Sequence, residues 1–237
     1  MWHLLESPEI SHSYDNFLVA AELKKGRHRG PKWHDGDFYK WLEAAAFTYA
    51  TTKDEKLNQQ MDNIIDVIRK AQREDGYIHT PVIIAEKNQS MQNAEFQNRM
   101  DFETYNMGHL MTCACIHYQA TGKNNLLEVA RKSADYLYNV YQAQPANLAN
   151  NAICPSHYMG LCDLYRITQE PNYLKLAQGL IDIRRMVKEG TDHNQDRIPF
   201  YDQREAVGHA VRANYLYAGA ADIYAETGRT QLWKPLE

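Results

Sequence analysis

Apolar residues return at intervals of three and four along most of the chain, the spacing of helices that bury one face. Phe38, Trp41, Leu42, Ala45 and Tyr49 share a stripe over residues 37–51. Leu57, Met61, Ile64, Ile65 and Ile68 share another over 55–74, until Asp75-Gly76-Tyr77 breaks the pattern. Further helices are predicted over 14–24, closed at Gly26, and over 104–120, 126–141, 156–167, 173–188 and 206–226. That makes eight helices, with the start of a ninth at Gln231. Residues 78–100 hold the apolar run Ile78-His79-Thr80-Pro81-Val82-Ile83-Ile84-Ala85 and then a polar Gln/Asn-rich stretch, and read as a long non-helical connection.

A turn recurs between these helices: Thr52-Lys53-Asp54-Glu55-Lys56-Leu57, Thr121-Gly122-Lys123-Asn124-Asn125-Leu126, Thr168-Gln169-Glu170-Pro171-Asn172-Tyr173-Leu174 and Thr227-Gly228-Arg229-Thr230-Gln231-Leu232. Each copy closes one apolar stretch and opens another, so the chain reads as a series of helical hairpins. Spacings of 69, 47 and 59 residues are too uneven for a strict solenoid but suit hairpins with connections of differing length. Stacked hairpins make a toroid or superhelix in which inner helices begin at a shared concave face.

With 237 residues, 44% hydrophobic and 24% charged, the chain is long enough for one cored domain over 1–237. A net charge of -4 gives no footprint for nucleic acid or an anionic membrane, and the longest basic run is Lys24-Lys25-Gly26-Arg27-His28-Arg29. No stretch reaches the length of an apolar membrane span, and the amino end lacks a secretory signal. Truncation would remove that signal, so the compartment, periplasmic or cytoplasmic, stays open. Sixteen Tyr against 6 Phe suit a groove lined for sugars, although helix packing also uses Tyr.

Cys113, Cys115, Cys154 and Cys162 form no CxxC pair or disulfide framework, so reduced thiols and no metal site are expected. His109, His157 and His209 each fall within the first two turns of a later hairpin's first helix. Gly108, Gly160 and Gly208 stand one or three residues away from them. A lone histidine on such a stripe is usually a satisfied core residue. Three in register, beside glycines that allow close approach, point to a shared polar site. Neutral imidazoles suit sugar hydroxyls, whereas three converging ones would suit a metal such as zinc; the width of a toroid favours hydroxyls. Asp35, Asp37, Asp101, Glu103 and Glu205 are candidate carboxylates for glycoside hydrolysis, and each also fits a helix-capping role. No Gly-rich phosphate loop, Gly-x-Ser-x-Gly elbow or HExxH motif is present.

Four segments together resemble glycoside hydrolase family 127, the β-L-arabinofuranosidases. They are Asp35-Gly36-Asp37-Phe38-Tyr39-Lys40-Trp41-Leu42-Glu43-Ala44, Ala71-Gln72-Arg73-Glu74-Asp75-Gly76-Tyr77, the stretch from Tyr105 to Leu110, and Glu205-Ala206-Val207-Gly208-His209-Ala210-Val211-Arg212-Ala213. The resemblance runs in order from Asn16 to Trp233. It implies an (α/α)6 barrel and an exo-acting glycosidase on plant-derived arabinofuranosides or related pectic sugars. His109, His157 and His209 match histidines that contact the sugar in the −1 pocket.

In the family a cysteine nucleophile works beside a zinc held by a glutamate and further cysteines, with a separate glutamate as acid/base. Those motifs lie beyond residue 237, and none of the four cysteines falls in them. No catalytic or metal-ligating residue is therefore expected here, and Phe102 stands where the family commonly has a histidine. The barrel is expected to be incomplete at its carboxyl end, leaving an open apolar flank that favours self-association. A rival reading is a non-catalytic carbohydrate-binding or interaction module on a partial toroid. An α-toroid epimerase or lyase would need its acid/base histidines in other registers.

Overall fold

The recurring turn has one physical form in all four copies. Each helix ends on Thr52, Thr121, Thr168 or Thr227, and the next residue, Lys53, Gly122, Gln169 or Gly228, is left-handed with φ of 52°, 73°, 56° and 62°. Its N–H returns to the carbonyl of Tyr49, Tyr118, Tyr165 or Tyr224. Each threonine hydroxyl donates to the carbonyl four residues back, at 2.9, 2.7, 2.6 and 2.6 Å. It also accepts the N–H two residues ahead, at 3.4, 3.1, 3.3 and 3.2 Å. The carbonyls orphaned at a helix end and the first donor of the following loop are thereby satisfied together.

In the computed structural model, which describes residues 2–7, 9–90 and 94–237, these turns join a series of helices. They are α1 (Trp2–Glu6), α2 (Ser13–Ala20), α3 (His34–Thr52), α4 (Glu55–Ala71), α5 (Thr80–Lys87) and α6 (Glu103–Thr121), followed by α7 (Asn125–Ala143), α8 (Pro145–Asn151), α9 (Ser156–Thr168), α10 (Pro171–Ile183), α11 (Ala210–Thr227) and α12 (Trp233–Leu236). No strand occurs among the described residues. Helices α3, α6, α9 and α11 pack side by side as an inner arc, and α4, α7, α10 and α12 lie outside as their hairpin partners. The outer helix α4 buries one stripe, Met61, Ile64, Ile65 and Ile68, as its pattern predicts. By contrast α6 is enclosed on almost every side from Glu103 to Cys115. One core cluster runs from Phe17 to Leu232.

Some boundaries differ from expectation, each for a local reason. Helix α2 stops at Ala20 because Glu22 takes the left-handed conformation (φ 59°), and Gly26 plays no capping part. Within the expected connection 78–100, residues 80–87 are helical: Pro81 occupies the first turn, where it is tolerated, and Val82 to Ala85 are buried on all sides. Full burial erased the periodicity on which a helix would have been recognised. Helix α10 ends at Ile183 because Arg184 turns inward to donate to the carbonyls of Ala152, Asn194 and Gln195 (2.9–3.0 Å). Helix α11 begins at Ala210 because Gly208 stands at φ 76°, where a Cβ would lie 1.9 Å from the Asp192 carbonyl oxygen. The exposed apolar side chains include Phe47 on α3 and Val211 on α11. No described helix is long and apolar enough to cross a membrane.

Candidate functional site

Near the amino-terminal ends of the inner helices lies an aromatic cluster, called the mouth below. Tyr105 and His109, four residues and one turn apart on α6, share a helical face and place their rings 4.6 Å apart. From α11, Tyr215 reaches across so that its hydroxyl lies 2.9 Å from His109 Nε2, with donor and acceptor roles set by the imidazole tautomer. From α3, Lys40 donates to the Tyr105 hydroxyl, and its ammonium lies 4.9 Å from that ring's centroid. Phe102 packs edge-on against Tyr105 and against Trp33, at 5.9 and 5.4 Å, and the Arg212 guanidinium lies over its ring. Flat rings with hydroxyl, imidazole and ammonium groups at their edges present both faces and donors to a polyol.

The charge state of this mouth follows from burial. Desolvation, assisted by Lys40, holds the His109 imidazole down at about 3, so it is neutral at physiological pH. A neutral ring both donates and accepts, which suits hydroxyls. Cys154 lies beside Tyr105, and burial pushes its thiol up to about 11 against the pull of Arg212 and Lys40. Such a thiol is protonated near neutrality and is a poor nucleophile there.

The three histidines stand at three depths. His109 is buried at 7% exposure but lies against the mouth's rings. His157, the second residue of α9, is wholly buried, and neither ring nitrogen has a partner; burial, then Arg184, lowers it to about 3. His209 immediately precedes α11 and is exposed, its ring 5.3 Å from that of His193. The expected common register therefore fails, because the helices begin at different distances from their histidines. The neighbouring glycines allow close packing: a Cβ at Gly108 would lie 2.2 Å from the His157 backbone nitrogen, and one at Gly160 2.6 Å from the Gly108 carbonyl oxygen.

The candidate carboxylates are largely structural. Asp35, raised to about 6 by burial against the opposing Thr80 bonds, accepts from Thr80 N and Oγ1, both at 2.7 Å, and so caps α5 from α3. Glu103, raised to about 8 chiefly by burial, accepts from the Tyr77 hydroxyl at 2.6 Å and from Phe96 N at 2.8 Å. Asp101 pairs with Lys32 at 2.6 Å. Asp37 pairs with Lys40 at 3.1 Å on the mouth's edge, and Glu205 is exposed. Lys40, Tyr215, Arg212 and Trp33 were not singled out from sequence, because only the fold brings α3 and α11 to the α6 face.

The zinc implied by the resemblance has no fit here. Among the described residues no group of three His, Cys, Asp or Glu side chains is placed to hold a metal ion. All four thiols are buried and unpaired, and burial raises each of them.

An inner arc of helices backed by hairpin partners, with an aromatic and imidazole cluster near its amino-terminal ends, is the architecture of an α/α toroid. The catalytic-domain model of the GH127 β-L-arabinofuranosidases matches residues 2–237, and the chain belongs to that family. It is 33% identical over 234 residues to the non-reducing end β-L-arabinofuranosidase of Bifidobacterium longum subsp. longum, covering 90% of this chain and 36% of that protein. It is similar in structure to a GH127 β-L-arabinofuranosidase from Geobacillus stearothermophilus T6, with a TM-score of 0.86, 31% identity, and coverage of 99% of this chain and 40% of the other. A solved glycoside hydrolase is 51% identical with a TM-score of 0.72, covering 94% of this chain and 33% of that one. The chain thus spans little more than a third of the curated relative it matches.

Proposed function

We propose that these residues form the sugar-binding wall of a β-L-arabinofuranosidase-type glycoside hydrolase acting on arabinan or pectic sugars. In this reading the nucleophile, the acid/base and a zinc site come from outside the 237 residues. The carrying observation is the His109–Tyr215 pair, set among Tyr105 and Lys40 where the inner helices begin. His109 meets a sugar hydroxyl from the wall and His209 from the rim. His157 joins them when a ligand displaces the packing over its two unpartnered nitrogens. A further helix or a second copy seated on Val211, Asn214, Ala218 and Ala221 of α11 would cover that exposed face; left bare, it would favour self-association.

Four buried thiols, each raised by burial, support placing the covalent chemistry elsewhere. The test is hydrolysis of p-nitrophenyl β-L-arabinofuranoside by the purified chain, with and without zinc and reductant. No turnover above the no-protein control is expected in any condition. Zinc-dependent turnover would instead put the catalytic residues among these cysteines and acids and overturn the proposal.

A further inference from the structure

The basic run 24–29 takes no part in the mouth, yet the fold holds it in one place. Asn16 of α2 donates to the Arg29 carbonyl at 2.9 Å and accepts its N–H at 3.1 Å, and Asn88, just past α5, donates to the Gly26 carbonyl at 3.1 Å. The segment, without regular structure of its own, thus forms a strap beside α5. Two cavities adjoin it and share Ile84 and Asn88. One, of about 440 Å³, is lined by Lys24, Lys25 and Lys87 together with the carboxylate of Glu22; the other, of about 500 Å³, by Arg27, His28 and Ser90.

Lys24, Lys25, Arg27, Arg29 and Lys87 are grouped here in a chain whose net charge is -4. Asp15 pairs with Lys24 and Arg29, and Glu22 with Lys87. Lys25 and Arg27 are exposed and form no ion pair among the described residues. An anchored strap presents these cations without the ordering cost that a free loop would meet on binding. Val19, Ile84 and Pro81 give the cavities apolar patches, while Asn88 and Ser90 offer hydroxyl partners. Neither lining includes a Phe, Tyr or Trp side chain, so a run of stacked bases would find no platform beyond the His28 ring.

We propose that the strap and α5 form an accessory site for an anionic glycan, a sugar chain carrying carboxylate or sulfate groups, distinct from the mouth at His109. The choice of a glycan rests on the glycosidase reading; the choice of an anion rests on the charges alone.

The experiment titrates the 237-residue chain at low ionic strength with oligogalacturonate, its fully methyl-esterified form, a sulfated galactan oligomer and a single-stranded oligonucleotide of matched charge. Saturable binding of at least one anionic oligosaccharide is expected, identifying the charged group, with little binding of the neutral ester. Lys25→Gln/Arg27→Gln, which alters two exposed side chains, is expected to weaken that binding by about tenfold or more, and added salt should weaken it in the wild type. No binding of either anionic oligosaccharide, equal binding of the ester, or an unchanged affinity in the double variant would overturn the site. An oligonucleotide bound as tightly would overturn its assignment to a glycan. An arabinofuranoside titration on the same double variant separates the two readings, because an intact mouth leaves that affinity unchanged even if the strap binds nothing.

Discussion

Gly108→Ala is expected to destabilise the chain by about 3 kcal/mol or more, at or beyond the upper end for an overpacked core position. The added Cβ would lie 2.2 Å from the backbone nitrogen of His157, 2.3 Å from Ser156 Oγ and 2.5 Å from the Ser156 carbonyl carbon. Two of those three atoms are backbone, so no rotamer change relieves the clash and α6 must separate from α9. Separation would also strain the Ser156 hydroxyl bond to the Tyr105 carbonyl, 2.6 Å long, and shift the Tyr105 and His109 side of the mouth. Gly122→Ala is the control: its φ is 73° but nothing lies within 4 Å, so it should cost only about 1–2 kcal/mol of left-handed strain. Urea unfolding followed by circular dichroism checks both. Equal midpoints for the two variants would show that the α6–α9 crossing is looser than described.

The second large effect is on pH. His109, His117 and His157 are held down at about 3, 4 and 3, chiefly by burial, and His79 well below its ordinary value. A base whose folded value is depressed stays neutral in the fold while the unfolded chain takes up its proton below about 6.5, so stability falls as pH falls through that window. For His157 alone the loss reaches on the order of 4 kcal/mol at pH 3. Asp35 and Glu103 act in the opposite sense: raised to about 6 and about 8, they favour the fold while protonated and weaken it as pH rises above the unfolded carboxyl range. His28 is likewise held down at about 4. Below about pH 6.5 these five imidazoles outweigh the carboxyls that burial raises, Asp35 and Glu103 together with Glu43, Asp135 and Asp163; above it the raised carboxyls, Glu103 foremost, oppose the fold. Maximum stability is therefore expected between about pH 6 and 7, with steep loss on the acid side. Urea midpoints across pH 4–9 check this, and a profile still rising toward pH 4 would contradict the buried, neutral histidines.

The hairpin ends were legible because their chemistry is local: a threonine, a left-handed residue and the opening of the next helix lie within a few residues. Even Lys53 and Gln169, which replace glycine in that conformation, kept the threonine that identifies the turn. Helix α5 was not legible, since an apolar segment buried on all sides carries no period, and α6 gave its existence but not its orientation for the same reason. The mouth was legible only in part. His109 and Tyr105 share a helical face that sequence can name, whereas Lys40 and Tyr215 join them through α3–α6–α9–α11 packing. The depths of His157 and His209 depended on helix starts at Ser156 and Ala210, set by tertiary contacts of the residues before them.

The most direct measurement is an NMR titration of the 237-residue chain with methyl β-L-arabinofuranoside, repeated on His109→Ala and Tyr215→Phe. Saturable shifts centred on Lys40, Tyr105 and Tyr215 are predicted, with affinity reduced by about tenfold, or roughly 1.4 kcal/mol, in each variant. Absence of binding, or equal binding by wild type and both variants, would contradict a sugar site at this mouth.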